Sequence, residues 1–233
     1  MLFPSFEFIF LFLPIVFIVY AILSKYKWFN GAKIMLILAS IIFYAYWDYR
    51  YLIILFFSIG FNYIVGKKLH TSPNKKLLAF GVTVNLGLLA YFKYVDFFIE
   101  NLNWVIGTSL PLLHIALPLA ISFYTFQQIG FLVDSYNGKV GEIQFINYVL
   151  FIVFFPQLIA GPIVQHKYVI PQFEKKQTFQ LNYQNLTVGL FIFVAGLFKK
   201  VVIADSIALW ATPGFHEATT LTFFEAWGSA LAY

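Results

Sequence analysis

Five polar side chains lie within or directly after a single apolar run of the sequence, residues 112–133, and no other group in the chain is better suited to chemistry in an apolar environment. They are Ser122, Tyr124, Gln127, Gln128 and Asp134. On a helix, Tyr124 and Gln128 would share one face, as would Gln127 and Asp134 two turns apart. Polar groups within a membrane are costly and tend to mark function, so we predict that these residues line a tunnel or cavity. The alternative is that they only hold helices together through hydrogen bonds.

A second unusual stretch lies late in the apolar run of residues 146–164. Pro156 and Pro162 remove backbone donors, Gly161 loosens the chain, and Gln157 places a carboxamide among apolar side chains. Inside a membrane, the freed carbonyl groups need partners from neighbouring helices, polar side chains or water. We therefore expect a broken helix that faces a cavity, with Gln157, Gly161 and Pro162 in its lining. A proline kink that serves packing alone is the alternative.

Two adjacent lysines, Lys199 and Lys200, separate the apolar runs 186–198 and 201–210, and Asp205 follows. The simpler interpretation is a basic break between two helices at a membrane interface. The functional interpretation is that the two lysines attract the phosphate groups of an anionic donor.

The four histidines give no readable catalytic or metal site. His70 and His166 lie beside lysines in predicted loops, His216 lies in a turn, and His114 follows Pro111. We expect surface or interfacial positions for all four. None has a second histidine or a carboxylate at metal-ligand spacing, and the absence of cysteine excludes disulfides and thiolate chemistry.

Composition places these residues in a membrane protein. Of the 233 residues, 61% are hydrophobic and only 11% are charged, whereas globular domains are about 25% charged. We therefore predict one all-α integral membrane domain, a polytopic bundle whose broken or re-entrant helices surround a tunnel. The net charge of +5 lies mainly in short loops between apolar runs. That pattern orients membrane helices and does not indicate nucleic-acid binding.

The loop charges predict an orientation for the first four apolar runs, which cover residues 8–23, 34–47, 51–65 and 77–92. Lysines concentrate in the first and third connecting loops, and the positive-inside rule places those loops in the cytoplasm and the N-terminus outside. A tight polar turn is expected at Asp48 and Arg50, and a loop at residues 101–109. The fifth run, residues 112–133, is interrupted by Pro118, and we favour a broken or re-entrant segment there. The last run, 221–233, suggests a chain cut within a helix.

Seven segments resemble, in combination and in order, the N-terminal half of the membrane-bound O-acyltransferases. They are FYAYW at 43–47, YFKY at 91–94, LPLAISFYTF at 117–126, DSYNG at 134–138, FPQLIAGP at 155–162, FKKVVIAD at 198–205 and AWGSALAY at 226–233. The resemblance runs from Met1 to Tyr233 and is strongest to the alginate O-acetyltransferase branch, which includes peptidoglycan O-acetyltransferases.

The resemblance implies a ring of helices around a funnel in the bacterial inner membrane. It implies that an acyl group, acetyl in this branch, passes from a cytoplasmic thioester such as acetyl-CoA towards an extracytoplasmic polysaccharide. A hydrolase-like acetyltransferase often acts as partner. The family's essential histidine lies in a Trp-His-Gly context that this sequence lacks. No histidine here can inherit that role, so we expect the 233 residues alone to be inactive.

Two other functions fit parts of the pattern. Broken helices also mark secondary transporters and flippases, but those often show two halves with matching interruptions, which this sequence does not. A non-catalytic truncated membrane subunit fits the missing catalytic histidine.

Overall fold

All regular secondary structure is helical in the computed structural model, which describes residues 1–158, 165–216 and 221–233. Within these described ranges, four helical stretches are long and apolar enough to cross a membrane: Phe8–Lys25, Phe29–Thr71, Lys75–Ile106 and Tyr183–His216. The predicted all-α membrane protein is therefore confirmed. The chain divides into two compact units. Unit 1 contains Met1 and Val16–Gln180, and unit 2 contains Leu2–Ile15 and Leu181–Tyr233.

The helices are α1 (Leu13–Lys25, continuous with a π-helical segment at Phe8–Phe12), α2 (Phe29–Asp48), α3 (Leu52–Thr71), α4 (Lys75–Ile106), α5 (Ile121–Tyr136), α6 (Phe145–Val153), α7 (Phe155–Leu158), α8 (His166–Glu174), α9 (Tyr183–Phe198), α10 (Asp205–His216) and α11 (Phe223–Ala232). Single 3₁₀ turns follow α2 and α8, at Tyr49–Tyr51 and Lys176–Phe179. The predicted polar turn after α2 is confirmed. The Asp48 carboxylate accepts hydrogen bonds from the backbone N–H and the guanidinium of Arg50.

Helices α3 and α4 form an antiparallel hairpin held by a buried amide pair. Asn62 and Asn85 each donate from Nδ2 to the other's Oδ1, at 3.0 and 2.7 Å. Asn74 starts α4 by accepting the N–H groups of Lys76 and Leu77, which helix starts otherwise leave unpaired. The prediction of a loop at residues 101–109 is wrong, because α4 continues to Ile106. The helix ends at Gly107, whose left-handed backbone conformation suits glycine.

Unit 1 has two distinct ends. At the first, which we call the basic end, the Tyr63 hydroxyl donates to the Ile143 carbonyl, and Lys33 contacts Asn147. The α3–α4 turn also lies there. At the opposite end, the Tyr44 and Tyr51 hydroxyls donate to carbonyl groups of the non-helical segment that precedes α5. The two ends allow the course of each later segment to be followed.

The apolar run of residues 112–133 is broken, as predicted, but it crosses unit 1 and does not return to its starting end. Its non-helical part lies at the opposite end, and Ala120, with φ of +58°, turns the chain into α5. The far end of α5 lies at the basic end, where Phe131 packs on Tyr148 with ring centroids 4.6 Å apart. Prolines 111 and 118 explain the break, since proline interrupts helical hydrogen bonding.

The segment that returns is the later one, which includes the stretch singled out for its prolines. Helix α6 starts at the basic end beside Lys33 and ends at Phe154, and α7 lies next to the middle of α2. Helix α8 is again at the basic end, where Glu174 accepts a 3.4 Å hydrogen bond from Asn147 near the start of α6. Of the two alternatives given for residues 112–133, the broken segment is confirmed and the re-entrant one is wrong, because the returning course belongs to the later segment.

In unit 2, one continuous helical stretch that contains a π-helical turn replaces the two predicted helices. Helices α9 and α10 are joined without a break by a π-helical turn at Lys199–Ala204, so Tyr183–His216 is a single stretch of 34 residues. Asn182 caps its start. Helix α11 begins with a capping box between Thr222 and Glu225 and packs on α10.

Candidate functional site

A polar cavity of about 430 Å³ lies at the basic end of unit 1. Its walls come from Lys33 of α2, Tyr148 of α6, three polar residues of α8 (His166, Lys167 and Glu174), and the segment 139–144 that follows α5. Pockets of about 300–1,000 Å³ are typical for small-molecule ligands. The cavity is therefore large enough for part of a cofactor-sized molecule.

Lys33 is the buried cation of this cavity, with only 7% of its surface exposed. Its ammonium donates to Asn147 Oδ1 at 2.8 Å and lies 5.7 Å from the centre of the Phe179 ring. The Glu174 carboxylate also attracts it. Buried charges require such partners, because removing an ion from water is costly. Lys33 thereby links α2 to both legs of the re-entrant segment.

His166 was predicted to be a surface residue, and that prediction is wrong. The residue is 4% exposed, and its ring lies edge-on to Phe131 and Phe151. Its Nδ1 is 3.6 Å from Asp134 Oδ2, which is too long for a hydrogen bond but close enough for attraction. Burial lowers the pKa of His166, and Asp134 opposes that shift only in part. The imidazole is therefore neutral at pH 7.

Gln128 belongs to a buried chain of hydrogen bonds that crosses the bundle from the cavity. Tyr148 donates its hydroxyl hydrogen to Gln128 Oε1, and Gln128 Nε2 donates to Ser58 Oγ at 3.4 Å. Ser58 Oγ also accepts from Asn62 Nδ2 at 3.4 Å. The Tyr148 hydroxyl uses its only hydrogen in the bond to Gln128, so its oxygen can only accept any further hydrogen bond.

The other predicted residues of α5 occupy different positions. Gln127 and Tyr124 are buried, and Ser122 is half-buried. The hydroxyl groups of Tyr124 and Thr125 have no hydrogen-bond partner among the described residues. The described lining of the cavity includes neither Ser122 nor Tyr124 nor Gln127. None of the five predicted residues lines the described cavity, but Asp134 contacts the lining residue His166 and Gln128 contacts the lining residue Tyr148.

Gln157 stabilises the helix break itself. In an uninterrupted helix the Phe151 carbonyl would accept from the N–H of residue 155. Here the Phe155 N–H donates to Ser40 Oγ at 3.2 Å, and Gln157 Nε2 donates to the Phe151 carbonyl at 2.6 Å. The expected need for polar partners at the break is thus met by Ser40 and Gln157. The predicted lining residues Gly161 and Pro162 lie outside the described residues.

Lys199 and Lys200 are exposed in unit 2, within the π-helical turn. The Lys200 ammonium contacts both carboxylate oxygens of Asp205 at 2.7 Å. The spacing of five residues matches the wider turn of a π-helix, which brings residues i and i+5 together.

Sequence reasoning missed Lys33, Tyr148 and His166 as cavity residues, and Asn147 as the hydrogen-bond partner of Lys33. Asn147 sits inside an apolar run, so the rule that selected Gln157 applies to it equally. Lys33 was counted among loop lysines, and nothing in its local sequence distinguishes it from Lys25 or Lys27. Among the described residues, no cluster of histidine and acidic side chains could hold a metal ion.

Comparison with known proteins shows homology along the whole chain. The chain is 46% identical over 100% of its length to a peptidoglycan O-acetyltransferase of Helicobacter pylori, covering 50% of that protein. It is 36% identical to the probable alginate O-acetylase AlgI of Pseudomonas putida and to that of Pseudomonas aeruginosa, covering 48% and 45% of them. The chain thus spans about half the length of these relatives and matches their N-terminal halves. No family model and no solved structure matches it.

Proposed function

We propose that this chain belongs to the membrane-bound O-acyltransferase family and serves the O-acetylation of a bacterial cell-surface polysaccharide of the peptidoglycan or alginate class. The observation that carries the proposal is the match of the whole chain to the N-terminal halves of a peptidoglycan O-acetyltransferase and of alginate O-acetylases. In the overall reaction the acetyl carbonyl carbon leaves a thioester sulfur and joins a polysaccharide hydroxyl oxygen. The hydroxyl proton goes to the departing thiol.

The basic end is the cytoplasmic face in this proposal. Eleven of the fifteen Lys and Arg residues of the chain belong to this end: Lys25, Lys27, Lys33, Lys67, Lys68, Lys75, Lys76, Lys139, Lys167, Lys175 and Lys176. Arg50 and Lys93 belong to the opposite end. Positive residues concentrate on the cytoplasmic side of inner-membrane proteins. The return of the 145–174 segment to the basic end supports this orientation, because it keeps Lys167, Lys175 and Lys176 on that side.

The cavity at the basic end is the proposed entry site for the acyl donor. Lys139 and Lys167 line it and are exposed, so they can attract the phosphate groups of acetyl-CoA before the thioester arm enters. Lys33 lies deeper and is held by Asn147. We assign the general base to no residue of this chain, in keeping with the absence of the family's histidine motif. Transfer to the polysaccharide then uses groups outside these 233 residues, and a partner acetyltransferase on the far side of the membrane.

The test uses inside-out membrane vesicles that carry the full-length protein, so that the cytoplasmic face is outermost. Radiolabelled acetyl-CoA is added outside, and base-labile acetyl groups on polysaccharide are counted. We expect acetylation that depends on the protein. Reversing both charges, with Lys139→Glu and Lys167→Glu, should raise the donor KM about tenfold with little change in kcat, since uniform binding is removed.

Lys93→Glu at the opposite end is the matched control and should leave the donor KM unchanged. Acetylation only when the donor is inside the vesicles would contradict the proposed orientation. Complete absence of acetyl transfer, with donor and polysaccharide supplied on either side, would contradict the proposed function.

A further inference from the structure

His166 is a rigidly held, buried imidazole in the wall of the cavity. Phe131 from α5 and Phe151 from α6 contact its ring from two helices, with ring centroids 5.9 and 6.3 Å away. Asp134 faces its Nδ1 at 3.6 Å. The carboxylate favours the tautomer that carries its hydrogen on Nδ1, because a lone pair there would be repelled. The other nitrogen, Nε2, then carries a lone pair and acts as an acceptor.

Nε2 of His166 is buried beneath the surface of the cavity wall and has no hydrogen-bond partner among the described residues, so a ligand in the cavity contacts it only once a neighbouring side chain moves aside. Buried polar atoms in native proteins are nearly always hydrogen-bonded, and an exception calls for an explanation. A histidine with a purely structural role would satisfy both nitrogens. The orphaned atom, the fixed ring and the adjacent cavity together indicate that a bound molecule completes this site.

We propose that Nε2 of His166 accepts a hydrogen bond from an amide N–H in the arm of an acyl thioester donor, which makes His166 a positioning residue. The proposal rests on the proposed function for the identity of the donor. An acceptor nitrogen selects the part of the ligand that carries hydrogen-bond donors. The phosphate groups of acetyl-CoA are predominantly acceptors and the acetyl group has no donor, whereas the arm between them contains secondary amides.

Other groups of the cavity fit the same orientation of the ligand. Lys139 and Lys167 are exposed and suit the phosphate groups. The cavity therefore has a histidine acceptor in its buried wall and two exposed cations, which suit the amide-bearing arm and the phosphate groups of the donor respectively.

The experiment pairs a change in the protein with a change in the ligand. The full-length protein is purified into lipid nanodiscs, and displacement of radiolabelled acetyl-CoA is measured with S-acetyl-N-acetylcysteamine and with its N-methylated analogue. The analogue keeps the thioester but carries a methyl group in place of the amide hydrogen, so it lacks the N–H. The wild-type protein should prefer the N–H compound about tenfold, the value of one hydrogen bond.

His166→Phe suits the aromatic surroundings but has no acceptor, and it should abolish the preference. His166→Gln keeps an acceptor oxygen and should retain most of it. His114→Phe, at an exposed position, is the control and should behave like the wild type. Because the preference is a ratio within one preparation, partial misfolding of a variant does not change it.

A tenfold preference that survives in His166→Phe would overturn the proposal. So would a wild-type protein that binds both compounds equally or that binds no acetyl-CoA. The binding assay needs no acetyl transfer, so the two proposals fail separately. Acetylation without amide preference refutes only the role of His166, and amide preference without acetylation refutes only the transferase.

Discussion

The apolar helix at α6–α7 in unit 1 and the apolar helix at α9–α10 in unit 2 are interrupted in different ways. In the α6–α7 region of unit 1 the helix breaks at Phe154, and polar side chains form hydrogen bonds with the backbone groups that the break leaves unpaired. Ser40 of α2 accepts the Phe155 N–H, and Gln157 donates to the Phe151 carbonyl. In unit 2, the π-helical turn between α9 and α10 keeps the helix continuous and needs no outside partner.

The difference shows how burial decides the kind of interruption. The break in unit 1 is surrounded by buried residues of α2 and α6, so partners are available and the freed groups are kept from lipid. No residue of α9 or of the π-helical turn is buried in this chain. Irregular backbone is tolerated at membrane depth only where protein or water covers it. The α9–α10 helix stays continuous through its π-helical turn, so its backbone groups remain hydrogen-bonded within the helix and need no surrounding protein to shield them.

The largest expected effect comes from a methyl group placed in the packed region. A Cβ at Gly66 would overlap the buried ring of Phe131, which Tyr148 and His166 also contact. We expect Gly66→Ala to destabilise unit 1 by about 2–3 kcal/mol, since overpacking a dense core forces side chains and backbone to shift. The apparent melting temperature in detergent measures this effect.

Gly60→Ala on the same helix and Gly189→Ala on α9 are the controls, because a Cβ at either position meets open space. Both should be neutral or slightly stabilising, through the higher helix propensity of alanine. Equal destabilisation by all three substitutions would show that Phe131 does not pack against α3 as described.

The next effect concerns the helix break. Gln157→Leu removes the donor to the Phe151 carbonyl and leaves that buried acceptor unsatisfied, so we expect a loss of about 1–3 kcal/mol. Hydrogen exchange should become faster in residues 145–158 and unchanged in α9. Gln165→Leu, at an exposed position near the start of α8, is the matched control. If the two variants exchange alike, Gln157 does not stabilise the break.

A smaller effect is expected from pH, and it should be confined to unit 1. Burial lowers the pKa of His166 below its usual 6.5, so the unfolded chain takes up a proton at a higher pH than the folded one. Stability should therefore be constant above pH 6.5 and should fall as the pH drops below it, until the folded-state pKa is reached. Melting temperatures at pH 7.5 and 5.5 measure the difference.

His166→Gln should reduce that difference between the two pH values, whereas His70→Gln, at an exposed position, should leave it as in the wild type. A wild-type melting temperature that rises on acidification, in a way that His166→Gln abolishes, would contradict the burial of a neutral imidazole.

The smallest effect is expected from the ion pair of the π-helical turn. Lys200 and Asp205 are about half-exposed in this chain, and exposed ion pairs contribute about 0–1 kcal/mol. Lys200→Met should change the melting temperature in detergent by less than any substitution above. A loss as large as that of Gln157→Leu would mean that the turn needs this pair to form.

Much of this arrangement could be predicted from residue types. The alternation of apolar runs and lysine-rich loops predicted the first four spans, and Gln157 with Pro156 predicted a broken helix. The course of the chain after Pro111 could not be predicted, because an apolar run looks the same whether it crosses or returns. The cavity depends on side chains far apart in sequence, and neither Lys33 nor His166 differs locally from an ordinary surface residue. Their burial follows from tertiary packing alone.

The central structural claim is that α6 and α8 bring the chain back to the basic end, where the cavity lies. The chain contains no cysteine, so single cysteines can be labelled without background by a maleimide that does not cross membranes. The measurement compares Lys139→Cys, Lys175→Cys and Thr108→Cys, all at exposed positions, in sealed inside-out vesicles. The account predicts that positions 139 and 175 are labelled together and position 108 is not. If position 175 instead behaved like position 108 and unlike position 139, the segment between α5 and α9 would cross the membrane. That result would contradict the account.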